Sequence, residues 1–464
     1  MEQDELEKPA VEAPASESVV GLDRELVREI VRGLNENETE RCRELIAPLH
    51  AADIADLLEQ INSGDREKLI NFLGPDLKPE TLTELGETVR DQVVDLLEPE
   101  QLAAAVTELD TDDAVYLLQD LNQADRDKVL IEVPAEERQA LNEALGYPED
   151  SAGRLMQQDL IAVPEFWTVG QTIDYMRESD DLPDDFYEII VVDPAHHPVG
   201  TIALNRAMRA KREVVVSDIV DKDTTMIPVD MDQEEVAYLF RQYRLVSAPV
   251  VDASGRLVGV IMSDDVVEVI QEEAEEDIMY LSGVQESDIH ETIFQTTKTR
   301  FTWLLVNLGT AILASAVIAQ FGGAIERLVA LAALMPIVAS MGGNAGTQTL
   351  AVAVRAIATR ELTPTNALRV INKETLVATA NGIALAIIMG GLAGLWFRSA
   401  MLGGVLAAAM VINMFAAGLA GILIPLALQK LKIDPAISST VFVTTVTDVV
   451  GFLSFLGLAS LILF

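Results

Sequence analysis

One acidic residue lies where acids are costly. Asp448, within the run from Thr444 to Gly451, falls about the middle of the last of five apolar stretches. A carboxylate at that depth costs at least about 2.5 kcal/mol on insertion scales, so it should face a bundle interior or a wet path. No Lys or Arg shares its stretch, which leaves a passing cation as the natural counter-charge. Thr440, Thr444, Thr445 and Thr447 add hydroxyl oxygens nearby. The plainer alternative is a protonated acid hydrogen-bonded between helices.

Two further patterns bear on cation chemistry. Pro336 and the run from Gly342 to Gln348 interrupt an apolar helix with Asn344, Thr347 and Gln348. Such a strip suits a pore lining, although Gly and Pro also serve close helix packing. Asn307, Asn381 and Asn413, in other apolar stretches, are expected to bond between helices. The second pattern is acidic: eight Asp and Glu residues lie between Asp264 and Asp277. Asp265, Glu268, Glu272 and Glu276 share one helix face at i, i+3, i+7 and i+11. Like charges so stacked repel unless a cation sits among them; otherwise they are a solvated face.

Five apolar stretches, near 301–321, 328–354, 376–396, 405–428 and 437–464, are each long enough for a bilayer core that needs about 20 residues. Expected inner loops carry Arg355, Arg360, Arg369, Lys373, Lys430 and Lys432, against Arg327 and Arg398 outside. Positive charge therefore puts the amino-terminal part in the cytoplasm and the carboxyl terminus outside.

The part before Arg300 reads as water-soluble. Of 33 basic residues only eight follow Arg300, and of 74 acidic ones only five, so the net charge of −41 belongs to the front of the chain. That charge excludes a nucleic-acid binder. The first residues lack an apolar stretch and read as a disordered acidic tail, not a signal peptide. From about Leu22 to Leu145 only helices are expected. Residues 52–61 and 112–121 match at an offset of 60, which suggests a small superhelical stack. Between about 150 and 270 two units repeat at an offset of 59: residues 190–202 match 249–261. Each reads as helix, buried strand, turn, strand, helix, a pattern that resembles tandem cystathionine-β-synthase (CBS) domains.

Catalysis is not expected, since no constellation of reactive residues stands out. Cys42 is alone, and His50, His196, His197 and His290 are scattered. His196 and His197 lie in a turn without further zinc ligands.

Taken in order, these segments resemble the MgtE-type magnesium channel and transporter family over nearly the whole chain. The most specific pieces are Pro336 with the run 342–348, the run 355–361 and the run 447–451. The resemblance implies a multidomain membrane protein: an all-α superhelical amino-terminal domain, α/β tandem CBS domains, a connecting helix and a five-helix transmembrane domain. The expected boundaries are 1–20 for the tail, 21–147 for the helical domain, 148–220 and 221–270 for the two CBS units, 271–300 for the connecting helix and 301–464 for the transmembrane domain.

By the same resemblance the chain is a homodimeric channel of the cell (inner) membrane, with Mg²⁺ as both substrate and regulator. Asp448 takes the ion site, and Asn344, Thr444, Thr447 and Gly451 line the path. Mg²⁺ dehydrates reluctantly and is commonly held by one or two carboxylates, which fits. Sensing of internal Mg²⁺, which closes the pore, falls on Asp112, Asp113, Asp232, Glu234, Asp265, Glu268, Glu273, Glu276 and Asp277. Two departures are visible. Arg244 stands where the family usually has an acid. Around the family's nucleotide site the chain has Ala203, Asn205, Arg206 and Met262, so ATP binding is not expected. The competing reading is a secondary carrier of Co²⁺ or Mn²⁺ coupled to H⁺ or Na⁺, which the lack of an internal repeat in the membrane part disfavours.

Overall fold

The computed structural model describes residues 22–179, 182–183, 186–284, 293–437 and 439–464. The expected tail and residues 285–292 of the expected connecting helix fall outside these. The chain divides into two compact units, Met1–Val267 and Glu268–Phe464.

The described residues of the first unit begin with the helices α1 (Arg24–Glu36), α2 (Thr39–Ile46), α3 (Ala51–Gln60), α4 (Ser63–Leu73), α5 (Glu80–Thr83), α6 (Glu87–Val94), α7 (Pro99–Glu108), α8 (Thr111–Gln119), α9 (Gln123–Glu132) and α10 (Ala135–Ala144). Leu57, Leu58, Leu69, Leu82, Leu117 and Leu118 are among the residues that close their common core. The offset of 60 extends beyond the apolar residues. Asn62 and Asn122 each cap the following helix, accepting from two backbone N–H groups at 3.1–3.2 Å. Caps of this kind contribute about 1 kcal/mol each. Arg66 then folds back to the carbonyls of Leu58 (2.9 Å) and Ile61 (3.2 Å). Arg126 does the same at Leu121 (3.0 Å) and Gln119 (3.3 Å). The repeated unit is therefore a helix pair joined by an asparagine cap and tied by an arginine.

Next come α11 (Ala152–Leu155), β1 (Ala162–Pro164), α12 (Val169–Glu178), β2 (Glu188–Val192), β3 (Pro198–Ala203), α13 (Leu204–Arg209), β4 (Ile227–Pro228), α14 (Gln233–Tyr243), β5 (Ser247–Val251) and β6 (Leu257–Met262). Two three-stranded sheets result, β1-β2-β3 and β4-β5-β6, each with one parallel and one antiparallel pairing. Their central strands are nearly continuous apolar runs because both faces are covered. Even the bulges, at Val191/Val192 and Val250/Val251, keep the offset of 59.

Helix α15 (Ser263–Leu281) carries the acidic run. The connecting helix expected to reach Arg300 ends here instead. Gly283 adopts a left-handed backbone (φ +72°), and the Val284 N–H turns back to the Met279 carbonyl at 3.0 Å. That is a glycine-terminated helix end, which a side chain at position 283 would strain.

Six more helices complete the second unit: α16 (Ile293–Ala319), α17 (Gly322–Arg327), α18 (Ala330–Ala358), α19 (Ala367–Trp396), α20 (Ala400–Lys430) and α21 (Ser439–Ile462). Helices α16, α19, α20 and α21 are long and apolar enough to cross a membrane. Helix α18 is also long, 29 residues, but Pro336 and its glycine and amide run dilute its apolar character. Helices α18, α20 and α21 pack through small residues. A methyl on Gly421 of α20 would lie 2.6 Å from the Gly346 carbonyl of α18, so only glycine permits that approach. Asn413 bonds between helices as expected, donating to the Val338 carbonyl at 2.8 Å. Asn307 and Asn381 do not: both are exposed on their helices.

Candidate functional site

Two settings hold the acidic residues singled out by the sequence, and they differ in kind. The first lies where α18 meets α21. Asp448 is half-buried, and no described residue forms an ion pair with it. Thr444, one turn before it, is half-buried too and uses its hydroxyl proton on the Thr440 carbonyl at 2.9 Å. A hydroxyl that donates to its own helix keeps its lone pairs outward, where they accept hydrogen bonds from water. Gly343 of α18 stands opposite: a methyl there would lie 3.8 Å from the Thr447 hydroxyl and 3.9 Å from the Thr444 methyl.

The other expected lining residues separate into two groups. Asn344 is exposed, together with Thr347 and Gln348, which places the polar strip of α18 on the outside of a single chain. Thr447 is fully buried, and its methyl lies 3.6 Å from the methyl that Gly346 lacks. Gly451 is buried against Asn413, and a methyl there would meet the Asn413 amide nitrogen at 2.8 Å. Both therefore serve helix contact in this arrangement.

The second setting is a pair of carboxyls in the first unit, Asp112 buried and Asp265 half-buried. Asp112, at the start of α8, is 7% exposed, and its Oδ1 is enclosed without a hydrogen-bond partner. Burial, then the charge of Asp265, holds the Asp112 carboxyl well above the usual carboxylate range. Asp265 is pushed up to about 7 by burial, Asp264 and Asp113, offset in part by the Met262 N–H and the Asp112 carboxyl. The Met262 N–H reaches Asp265 Oδ2 at 3.3 Å. Two facing acids with one unpartnered oxygen lack a counter-charge, which a proton or a cation would supply.

A similar pair sits in the second unit. Asp277 is pushed up to about 6 by burial, Asp434 and Glu276, and burial raises Asp434 as well. Asp434, in the turn between α20 and α21, also accepts from the Ala436 N–H at 2.7 Å. In the sequence, a lone acid in a short loop looks like an ordinary surface residue.

The remaining sensor candidates lie at the start of α14 and along α15. Asp232 is exposed and caps α14, accepting from the Glu234 N–H at 3.0 Å; Glu234 is exposed too. Glu268 is exposed and Glu273 and Glu276 are half-buried along α15. Among the described residues no group of three or more His, Cys, Asp or Glu could hold a metal ion. Arg244 closes α14 in a left-handed conformation (φ +57°). Beside Ala203 and Asn205 lies an open cleft of about 490 Å³, also lined by Phe186, Tyr187, Glu188 and Met208.

Comparison with known proteins supplies the family. A family model described as a divalent cation transporter, MgtE, matches residues 335–458. The MgtE intracellular N domain matches 49–150, and the CBS domain matches 216–272. The chain is 31% identical over 454 residues to the magnesium transporter MgtE of Thermus thermophilus, covering 95% of this chain and 99% of that one. It is 27% identical over 437 residues to the magnesium transporter MgtE of Bacillus subtilis, covering 94% and 97%. Among solved structures, the cytosolic domain of the Mg²⁺ channel MgtE in complex with ATP is similar at 28% identity and TM-score 0.49, covering 52% of this chain and 99% of that one. With the helical front, the paired sheets and the apolar bundle each in the matching order, the chain belongs to the MgtE family.

Proposed function

We propose that this protein carries Mg²⁺ across the cell membrane through a homodimeric pore, and that internal Mg²⁺ closes it. Mg²⁺ transport rests on the family and on relatives named magnesium transporters that match nearly end to end. The observation that carries the pore assignment is Asp448, a half-buried acid without a cationic partner among the described residues, in a helix apolar enough to span a bilayer. Such a group needs a counter-charge, and a hydrated cation supplies it. In this reading α18 is the fifth spanning helix. Its exposed Asn344, Thr347 and Gln348 cannot face lipid cheaply, since hydrocarbon offers amides no partners. A second copy, with water between the two strips, gives them partners.

Closure falls to the carboxyl pairs Asp112–Asp265 and Asp277–Asp434. Without a cation each pair either repels or holds a proton; with Mg²⁺ bound, the paired arrangement is the stable one. The amino-terminal domains then lie in the cytoplasm and the carboxyl terminus outside, as the loop charges indicate. The test is Mg²⁺ uptake into proteoliposomes by the parent and by Asp448→Asn. Uptake should vanish in the variant while the dimer survives; uptake at the parent's rate would remove Asp448 from the path.

A further inference from the structure

Asn413 lies at the centre of α20, fully buried, where an apolar residue would be easier to place. Its amide wedges between two helices. A methyl on Gly342 of α18 would stand 2.1 Å from Asn413 Nδ2, and a methyl on Gly451 of α21 would stand 2.8 Å from it. Nδ2 donates to the Val338 carbonyl of α18 at 2.8 Å, a carbonyl that a regular helix already commits to the N–H four residues on. The Oδ1 accepts nothing: it is enclosed without a partner. An amide held at that cost in a membrane bundle marks a functional position more often than a packing one.

The two helices it separates are those that carry the ion-path residues. Asn344 lies two residues beyond Gly342, about 200° round α18, so the wedge presses on the back of the face that displays Asn344. Gly451 lies one turn beyond Asp448 on α21. We propose that Asn413 is a positioning residue for ion discrimination: by one hydrogen bond and one wedge it fixes the gap between α18 and α21, and hence the size of hydrated ion that Asp448 and Asn344 accept together. Asn413 does not touch the ion. The proposal rests on the reading of α18 and α21 as the walls of the path.

The test uses the full chain in proteoliposomes, with Mg²⁺, Co²⁺ and Mn²⁺ uptake measured separately. Asn413→Leu keeps the branched shape and the heavy-atom count and removes the hydrogen bond. The Mg²⁺/Co²⁺ ratio should fall about tenfold, as for other residues that orient a metal site from behind. Gly342→Ala should lose uptake, because its methyl meets the amide. Gly342→Ala combined with Asn413→Ala should regain uptake, since the space is restored, but not discrimination, since the bond to Val338 is absent. This pair carries the test if Asn413→Leu does not fold. Unchanged discrimination in Asn413→Leu, or full recovery of it in the pair, overturns the proposal. Asp448→Asn separates the two readings. If it abolishes uptake while Asn413 variants discriminate as the parent does, only the positioning role fails; if it conducts normally, the path itself is wrongly placed.

Discussion

Asp448 and Asp265 are both acids held partly away from bulk water, yet their surroundings differ, and the proposed function gives them opposite tasks. Asp448 stands without another carboxylate in its helix, beside hydroxyls that turn their lone pairs outward. Asp265, in the first turn of α15, faces Asp112 of α8, with Asp113 and Asp264 adding negative charge. A lone acid can accept and release an ion with little change around it. A facing pair cannot, because its two charges repel unless a proton or a cation sits between them. One setting suits passage and the other suits sensing. Within one chain the distinction lies in how many carboxylates meet, not in how deeply each is buried.

The largest effect should separate the two most sharply. Asp448→Asn should remove Mg²⁺ flux at every internal Mg²⁺ concentration, whereas Asp265→Asn should leave flux and remove its inhibition. Paired flux measurements on both variants check this, and loss of flux in both would erase the distinction.

A structural change beside the path should act through packing alone. Gly346→Ala places a methyl 2.5 Å from Val443, a clash that costs roughly 1–3 kcal/mol when neither helix can retreat. Thermal unfolding in detergent should show a lower midpoint, with the sensing response of the surviving protein unchanged.

Acidity should affect only the sensor pairs. Asp265 titrates near 7 and Asp277 near 6 in the folded protein, both above the ordinary 3.8. Raised folded values favour the folded state at low pH, and that contribution is lost as pH rises from about 4 through about 7 when no metal is present. Mg²⁺ must displace the proton, so the Mg²⁺ concentration that half-closes the pore should rise by up to about tenfold between pH 8 and pH 6. A closing midpoint independent of pH would show that these carboxyls hold no metal. The smallest effect concerns ATP. With Ala203 and Asn205 at the cleft, and Arg206 and Met262 also departing from the family pattern, millimolar ATP should scarcely move the closing midpoint; calorimetry on the full chain checks this, and tight binding would overturn it.

The sequence shows the repeats and the spans because both are written in periodicity. The matches at offsets of 59 and 60 reappear in the strands, bulges and asparagine caps, and the apolar runs return as α16, α19, α20 and α21. Asp448 is legible because charge is rare in such runs. Features that depend on contacts distant in the chain are less so. Asp434 gains meaning only beside Asp277, 157 positions earlier, and the burial of Thr447 and Gly451 depends on glycines of α18 and an asparagine of α20. The connecting helix illustrates a local miss: Gly283 sits in the sequence as one glycine among acids and apolar residues, and only its left-handed backbone reveals a helix end.

The division of labour can be read in one preparation. Mg²⁺ flux into proteoliposomes would be recorded as Mg²⁺ on the side of the soluble domains is raised, for the parent and for Asp112→Asn combined with Asp265→Asn. The parent should conduct at low Mg²⁺ and shut as it rises, while the variant conducts throughout. Closure of the variant at the parent's midpoint would show that this carboxyl pair is not the sensor.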